Sequence, residues 1–432
     1  MSNSTTHYSS RLGAILTMIG VAVGLGNVWR FPYMMGSYGG SAFLIVYFIF
    51  TMLFAFPALI AEISLGKSNP KGTIAAFESI FKAPIGRLLG YLFVGVVSIA
   101  GSYYAVVVAN VLYTALFSIT KGFSAHTNPD YQQTLGNGTI QYLFTVLVII
   151  LALLVSSQGL KKGIERISMF IMPFFVVSIL YMIGYAWSLP DTIAAVEEFM
   201  KPDLDAFGST EVFAALGQAF FSVGLGGTFV VVYSGYLSED REIPKVAVFT
   251  CLGDLGSSVL VSLFLVPVIL VFGLQMNAGP SLIFNTLPEL FTVLPAGRWI
   301  GSLFLVALFM VAFLSLIAAF QVPLSSLNIK GFSGKRLILA FGLVQLVLAF
   351  PSAYYPQIIG ILDLVFGSGM QVLGSMLVVV GIWWGARTGE YRRLLFTDPE
   401  SKRAHAAQLW FRWAIPGTLL LVLLGYLYEN FI

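Results

Sequence analysis

Eleven apolar stretches follow one another along the chain, near residues 11–36, 40–65, 88–120, 140–157, 166–188, 212–237, 243–274, 298–328, 335–350, 355–385 and 407–430. An apolar run of about 18 residues or more is long enough to cross a bilayer as a helix. Lipid offers the backbone no hydrogen-bond partners, so such runs must pair their own amides and carbonyls, as a helix does. The composition agrees: 58% of the 432 residues are hydrophobic and 10% charged, against about 25% charged in a soluble domain. The expected fold class is therefore an all-α membrane protein lying in a lipid bilayer as one transmembrane domain over 1–432. Net charge is only +3 with no long basic run, which argues against a nucleic-acid partner. A single cysteine, Cys251, excludes an intrachain disulfide and a cysteine-rich metal site. His7, His126 and His405 lie far apart without the HExxH spacing of a zinc hydrolase, and no catalytic constellation is visible, so an enzyme is not expected. The first ten residues are polar and the run from Leu12 is too long and glycine-rich for a signal peptide, so it reads as the first span.

Orientation follows from the loop cations. One set of loops holds Lys67, Lys71, Lys82, Arg87, Lys161, Lys162, Arg166, Arg241, Lys245, Lys330, Lys335, Arg336, Arg387, Arg392, Arg393, Lys402 and Arg403. The opposite set holds Lys121, Lys201 and Arg298, and its 189–211 loop carries Asp191, Glu197, Glu198, Asp203, Asp205 and Glu211. The bias predicts a multi-pass plasma-membrane protein with a cytoplasmic N-terminus and an extracellular C-terminus.

Val23-Gly24-Leu25-Gly26 in the first stretch recurs as Val223-Gly224-Leu225-Gly226 in the sixth. Glycine lets the backbone leave helical geometry. Interrupted helices at corresponding places in two halves are the sequence pointer to a transporter's substrate site. Close packing of helices through small residues is the alternative for either segment alone. Recurrence five spans later, beside polar Asn27 and Ser222, favours the interrupted helix. Repeats of about 11–188 and 212–385, each with an odd number of spans, would be inverted, and the helix near 407–430 would stand outside them.

Gly20 to Pro32 reads GVAVGLGNVWRFP, residues 217–227 read GQAFFSVGLGG, and Ser102-Tyr103-Tyr104 lies in the third stretch. These segments, with Gly279 to Gly301, resemble helices 1, 6 and 3 and the long external loop 4 of the neurotransmitter:sodium symporter family. The similarity covers nearly the whole chain. It implies the LeuT fold, of about eleven transmembrane helices with a 5+5 inverted repeat and discontinuous helices 1 and 6. It also implies sodium-coupled symport of a small molecule by alternating access. A membrane sensor or channel that binds an amino acid without concentrating it is the other reading.

By that resemblance the substrate carboxylate meets backbone amides near Leu25 and Gly26 and the Tyr104 hydroxyl. Its amino group meets carbonyls near Ala22, Phe221 and Ser222. On its own Tyr104 would read as an ordinary interfacial or core tyrosine. Gly24 stands where monoamine carriers of the family have an aspartate, which implies a neutral amino acid. The side-chain pocket would be lined by Val21, Ala100, Tyr104, Phe221, Gly224, Gly227, Ser315 and Ala319. Ala100, Gly227 and Ala319 are small, which implies room for a large or aromatic substrate.

Sodium prefers oxygen ligands. The resemblance implies a first site from the Ala22 carbonyl, Asn27, Ser222, Asp254 and the substrate carboxylate. A second would use carbonyls of Gly20, Val23 and Val311 with the Ser315 hydroxyl. Leu314 stands where the family has a hydroxyl or acid, which takes one oxygen from that second set. Tyr47, Gln218, Ser222 and Ser258 match the chloride-site side chains of chloride-dependent relatives, or form a polar packing cluster. Asp254 should repel an anion there, so transport is expected not to require chloride. Arg30, Glu62, Asp254 and Asp363 are ionisable residues well inside spans, where charge is costly. Arg30 and Asp363 match the family's outer gate; Glu62 also fits a structural ion pair. Thr5 and Ile329 occupy the places of the cytoplasmic Arg–Asp gate, so inward closure would rest on other contacts, with Tyr236 and the N-terminal segment as candidates.

Overall fold

The computed structural model describes residues 7–202, 208–274, 281–327, 334–385, 387–396 and 398–431. Thr5, Ile329, Asp203, Asp205, Gly279 and Lys330 therefore lie outside the described residues. Nine helices among those described are long and apolar enough to cross a membrane: Ser41–Ser68, Ile85–Thr120, Gly138–Ser157, Leu160–Trp187, Ile243–Val271, Gly297–Ser326, Gly334–Tyr354, Ile358–Trp383 and Lys402–Gly425. They are spans 2 to 5 and 7 to 11. Span 1 is the pair Arg11–Ala22 and Leu25–Ser37, bent by 70° at its break. Span 6 is the pair Ser209–Ser222 and Phe229–Ser234, each half too short to cross alone.

Several edges differ from the expected ones. Span 5 begins at Leu160 instead of 166, because Gly159, at φ 75°, turns the chain and a π-helical turn Leu160–Glu165 leads into the helix. Span 9 runs four residues past 350, to Tyr354, carrying Pro351 in its last turn. The loops hold short helices, Thr73–Phe81, Asn128–Leu135, Thr192–Phe199, Leu282–Val293 and Thr388–Leu395, that the search for long apolar runs did not register. Thr73–Phe81 shows why such a helix forms: it buries Ile74, Ala76, Phe77 and Ile80 and packs on span 3.

Burial divides the spans into an inner and an outer set. In spans 3 and 8, 72% of the most apolar window is buried within the protein; in span 11 the figure is 22%. The outer spans instead expose Leu143, Leu147 and Leu154 of span 4, Leu339 and Val347 of span 9, and Leu421 and Leu424 of span 11. Water would make such a surface unfavourable, whereas lipid tails cover it at no cost. Spans pack on the partner five places along: 2 on 7, 3 on 8, and 4 on 9, while the half-helices of 1 and 6 meet at the centre. Spans 3 and 8 come close through small residues; a Cβ on Gly101 would stand 3.3 Å from the Phe320 ring and 3.5 Å from Ala319.

Candidate functional site

The two breaks face each other across the inner spans, and the repeated tetrapeptide serves different ends in each. In span 6, Gly224 and Gly227 sit at φ 68° and 72°, a region that side chains disfavour. In span 1, Gly24 is extended, with φ −153°. Glycine is needed there for space: a Cβ would lie 3.1 Å from the Ser315 Oγ and 3.5 Å from the Tyr104 hydroxyl. Gly24, Gly26, Tyr104, Phe221, Gly224 and Ser315 each keep some accessible surface, while Val23, Leu25, Ser222, Val223 and Leu225 beside them are buried. That pattern marks an internal chamber at the breaks.

Polar groups converge on this chamber. The Tyr104 hydroxyl lies close to the Leu25 amide and the Ser315 hydroxyl. Leu25 opens the C-terminal half of span 1, so the amides of Leu25 and Gly26 carry the positive end of that half-helix. Asn27 Oδ1 accepts the Gly24 amide at 2.8 Å and fixes the turn. From the other side Ala22, Phe221 and Ser222 end their half-helices, and a Cβ on Gly224 would stand 3.8 Å from the Ala22 Cα and the Val21 carbonyl. Ala100 and Ala319 are buried nearby on spans 3 and 8. Gly227 is not part of this group. A Cβ there would meet Val378, the Gly374 carbonyl and Phe77, at 3.0 to 3.2 Å. The expected pocket lining is corrected accordingly: Gly227 faces span 10 and the short helix Thr73–Phe81, and a large residue there would strain a left-handed backbone.

A second cluster lies beside the first. Asp254 of span 7 is fully buried, and its Oδ1 accepts the Asn27 amide at 2.7 Å. The same Nδ2 reaches Ser222 Oγ at 3.2 Å and Ser258 Oγ at 2.8 Å. Ser222 lies beside the Asp254 carboxylate, and the Tyr47 hydroxyl stands 3.5 Å from its Oδ2. Every one of these partners is neutral, and no ion pair among the described residues includes Asp254. Gln218, also fully buried, pairs neither amide atom among the described residues and stays apart from this network. Of the group expected at the second sodium site, the Ser315 hydroxyl donates to the Val23 carbonyl at 2.9 Å and lies 3.4 Å from that of Val311, one turn back in its own helix. Leu314 closes this place with an apolar group, packed directly against Gly20.

Above the chamber, Arg30 lies over the Phe221 ring, 4.8 Å from its centroid, and within electrostatic reach of Asp363. Asp363 Oδ1 accepts the Tyr103 hydroxyl at 3.1 Å. Glu62 makes no ion pair among those described; its Oε1 accepts the Gly226 amide at 2.9 Å and so satisfies the backbone freed by the span 6 break. At the opposite end the Tyr8 amide donates to the Tyr236 carbonyl at 3.2 Å, and Gln321 donates to the Tyr236 hydroxyl at 2.9 Å. Glu165, fully buried, accepts the Ser9 amide at 2.9 Å, the Ser9 hydroxyl at 2.7 Å and the Ser10 amide at 3.3 Å. Sequence reasoning missed Glu165. Its one signal in the sequence is an acid standing between Lys161-Lys162 and Arg166 in an otherwise basic loop.

A sequence model described as "Sodium:neurotransmitter symporter family" matches residues 5–134 and 131–350. The chain belongs to the sodium:neurotransmitter symporter family. Within that family, the uncharacterized sodium-dependent transporter YhdH of Bacillus subtilis (strain 168) is 30% identical over 333 residues, 76% of this chain and 74% of its own. The sodium-dependent neutral amino acid transporter B(0)AT2 of Pongo abelii is 28% identical over 310 residues, 62% of this chain and 41% of its own. Among solved structures, that of MhsT in complex with L-phenylalanine superposes with a TM-score of 0.86 at 28% identity, covering 98% of this chain and 99% of that one. This symporter is thus a multi-pass membrane protein with the LeuT fold, a sodium-coupled transporter of a small molecule.

Proposed function

We propose that the chain imports a neutral amino acid with a large or aromatic side chain, drawn by the sodium gradient. The observation that carries this reading is the buried Asp254 carboxylate, held only by neutral groups beside the break in span 1. A buried charge needs a counter-charge. Sodium, held by Asp254, Asn27, Ser222 and the Ala22 carbonyl, supplies it. The substrate carboxylate would complete that shell while taking the Leu25 and Gly26 amides and the Tyr104 hydroxyl. Ion and substrate sharing a ligand raise each other's affinity by the same factor, which is the coupling. Gly24 leaves no acid to pair a bare cation, and Ala100 and Ala319 leave room for a large side chain. That MhsT was solved with L-phenylalanine supports the same substrate class.

Arg30 and Asp363 form the outer gate in this reading. Glu165, Tyr8, Tyr236 and Gln321 hold the inner end. Packing of spans five places apart supports two inverted repeats, about 11–188 and 212–385, that rock about the central site. The loop cations support a cytoplasmic N-terminus and an extracellular C-terminus.

Uptake into proteoliposomes tests the proposal. Labelled phenylalanine should accumulate under an inward sodium gradient, and accumulation should collapse when the gradient is dissipated. Unlabelled phenylalanine or tryptophan should compete far better than glycine or alanine. The reverse order would overturn the substrate assignment, and binding without uptake would overturn transport itself.

A further inference from the structure

The inner ends of spans 1 and 7 enclose a cavity of about 150 Å³, away from the transport site. Arg11 and Ile15 line it from span 1; Asp240, Arg241 and Glu242 line it from the loop before span 7, and Lys245 and Phe249 from the start of that span. Three cations and two carboxylates, from span 1 and from the loop and first turn of span 7, therefore face one small space. No ion pair among the described residues includes Arg11. Among the described residues, the other two pair only with the acids that line the same cavity. Arg241 stands 3.9 Å from Asp240, whose side chain is 70% exposed and also bonded by the Ser238 hydroxyl. Lys245 meets Glu242 at 2.7 Å in an exposed pair three residues apart. Surface pairs of this kind contribute little and exchange readily for a better acceptor. A phosphate, with several charged oxygens, is such an acceptor for a guanidinium and an ammonium together.

The surroundings identify what carries the phosphate. Leu12, beside Arg11, is exposed, and so are Val248, Phe249 and Leu252, the next turns of span 7. This apolar strip leads from the cavity along the face that meets lipid. A water-soluble phosphate would gain nothing from it, whereas acyl chains would lie along it. We infer that the cavity binds the headgroup phosphate of an anionic phospholipid, with Arg11 on one side and Arg241 and Lys245 on the other. The site lies on the side of the basic loops, where the anionic leaflet would be under the orientation proposed above. The bound lipid ties the first turn of span 1 to span 7. It thereby adds to the hold of Glu165 on Ser9 and Ser10, and favours the conformation in which the inner half of span 1 stays packed.

The full chain in nanodiscs of phosphatidylcholine, with or without phosphatidylglycerol, tests this without any transport reading. Both leaflets are alike in such discs, so the outcome is independent of orientation and of substrate. Phosphatidylglycerol should raise the Tm of the wild type, and most of that gain should vanish in the double variant Arg11→Gln, Lys245→Gln. Arg87→Gln, which removes an exposed cation outside the cavity, should keep it. Native mass spectrometry gives the second reading: phosphatidylglycerol should be retained over phosphatidylcholine, with retention about tenfold weaker in Lys245→Gln alone. That single change at an exposed side chain serves even if the double variant does not fold. Undiminished gain and retention in both variants would overturn the site. Equal stabilisation by glycerol phosphate in pure phosphatidylcholine would overturn the lipid as its occupant.

Discussion

Asp254 and Asp363 are both acids within spans, yet their surroundings assign them different tasks. Asp254 has only amide and hydroxyl neighbours, Asn27, Ser222 and Tyr47, and under the proposed function its counter-charge is the sodium ion. An anion beside it would face a like charge in a poorly screened interior, at a cost of several kcal/mol in rough terms. A hydroxyl such as Ser258 returns only about 1 kcal/mol. Wild-type uptake should therefore be indifferent to replacing chloride with gluconate at fixed sodium, while Asp254→Asn, where active, should become chloride-dependent. A wild type that stops in gluconate would refute this. Asp363 instead shares its field with Arg30 and Tyr103. Removing either charge leaves the other poorly compensated, so Asp363→Asn and Arg30→Gln should each impair uptake. Normal uptake by Asp363→Asn would remove it from the gate.

At the scale of elements, the broken helices cost unpaired backbone in a medium that offers no replacement partners. Side chains make good the loss: Asn27, in the first turn of the second half of span 1, takes the Gly24 amide, and Glu62 of span 2 takes the Gly226 amide of span 6. The start of span 1 is treated likewise. Glu165 of span 5 lies against the amides of Ser9 and Ser10, where a helix N-terminus favours negative charge. Hydrogen bonds to a charged group are worth about 1.5–3 kcal/mol each. Glu165→Gln should therefore loosen the inner half of span 1 while leaving the rest folded. A cysteine placed at Ala14, now 2% exposed, reports on this, since Cys251, the sole native thiol, is buried. Its labelling from the inner side should quicken about tenfold or more in Glu165→Gln. An unchanged rate would show that Glu165 does not hold the N-terminal segment.

For the molecule as a whole, the number of ions carried per cycle follows from which oxygens the packed spans bring together. In the proposed function Asp254, Asn27 and Ser222 supply one charged, oxygen-rich sodium site, whereas Leu314 fills the place beside Gly20 and leaves Ser315 with carbonyls alone. Flux measurements should give one firmly coupled sodium per amino acid, and Leu314→Ser should raise the apparent sodium affinity of a second. Two tightly bound ions in the wild type would contradict this. Much of the architecture was legible in the chain itself. Apolar run length reports the solvent directly, so the number of spans and the two interruptions could be read from residues such as Gly24 and Gly224. Short helices such as Thr73–Phe81 escaped because they are defined by the face they bury. So did the duty of Gly227, whose backbone turns it toward Val378, and the role of Glu165, whose partners lie 155 and 156 residues away. Run length and periodicity are properties of a segment and can be read from it. Which buried charge meets which partner depends on spans brought together from distant parts of the chain, and only the packed structure decides that.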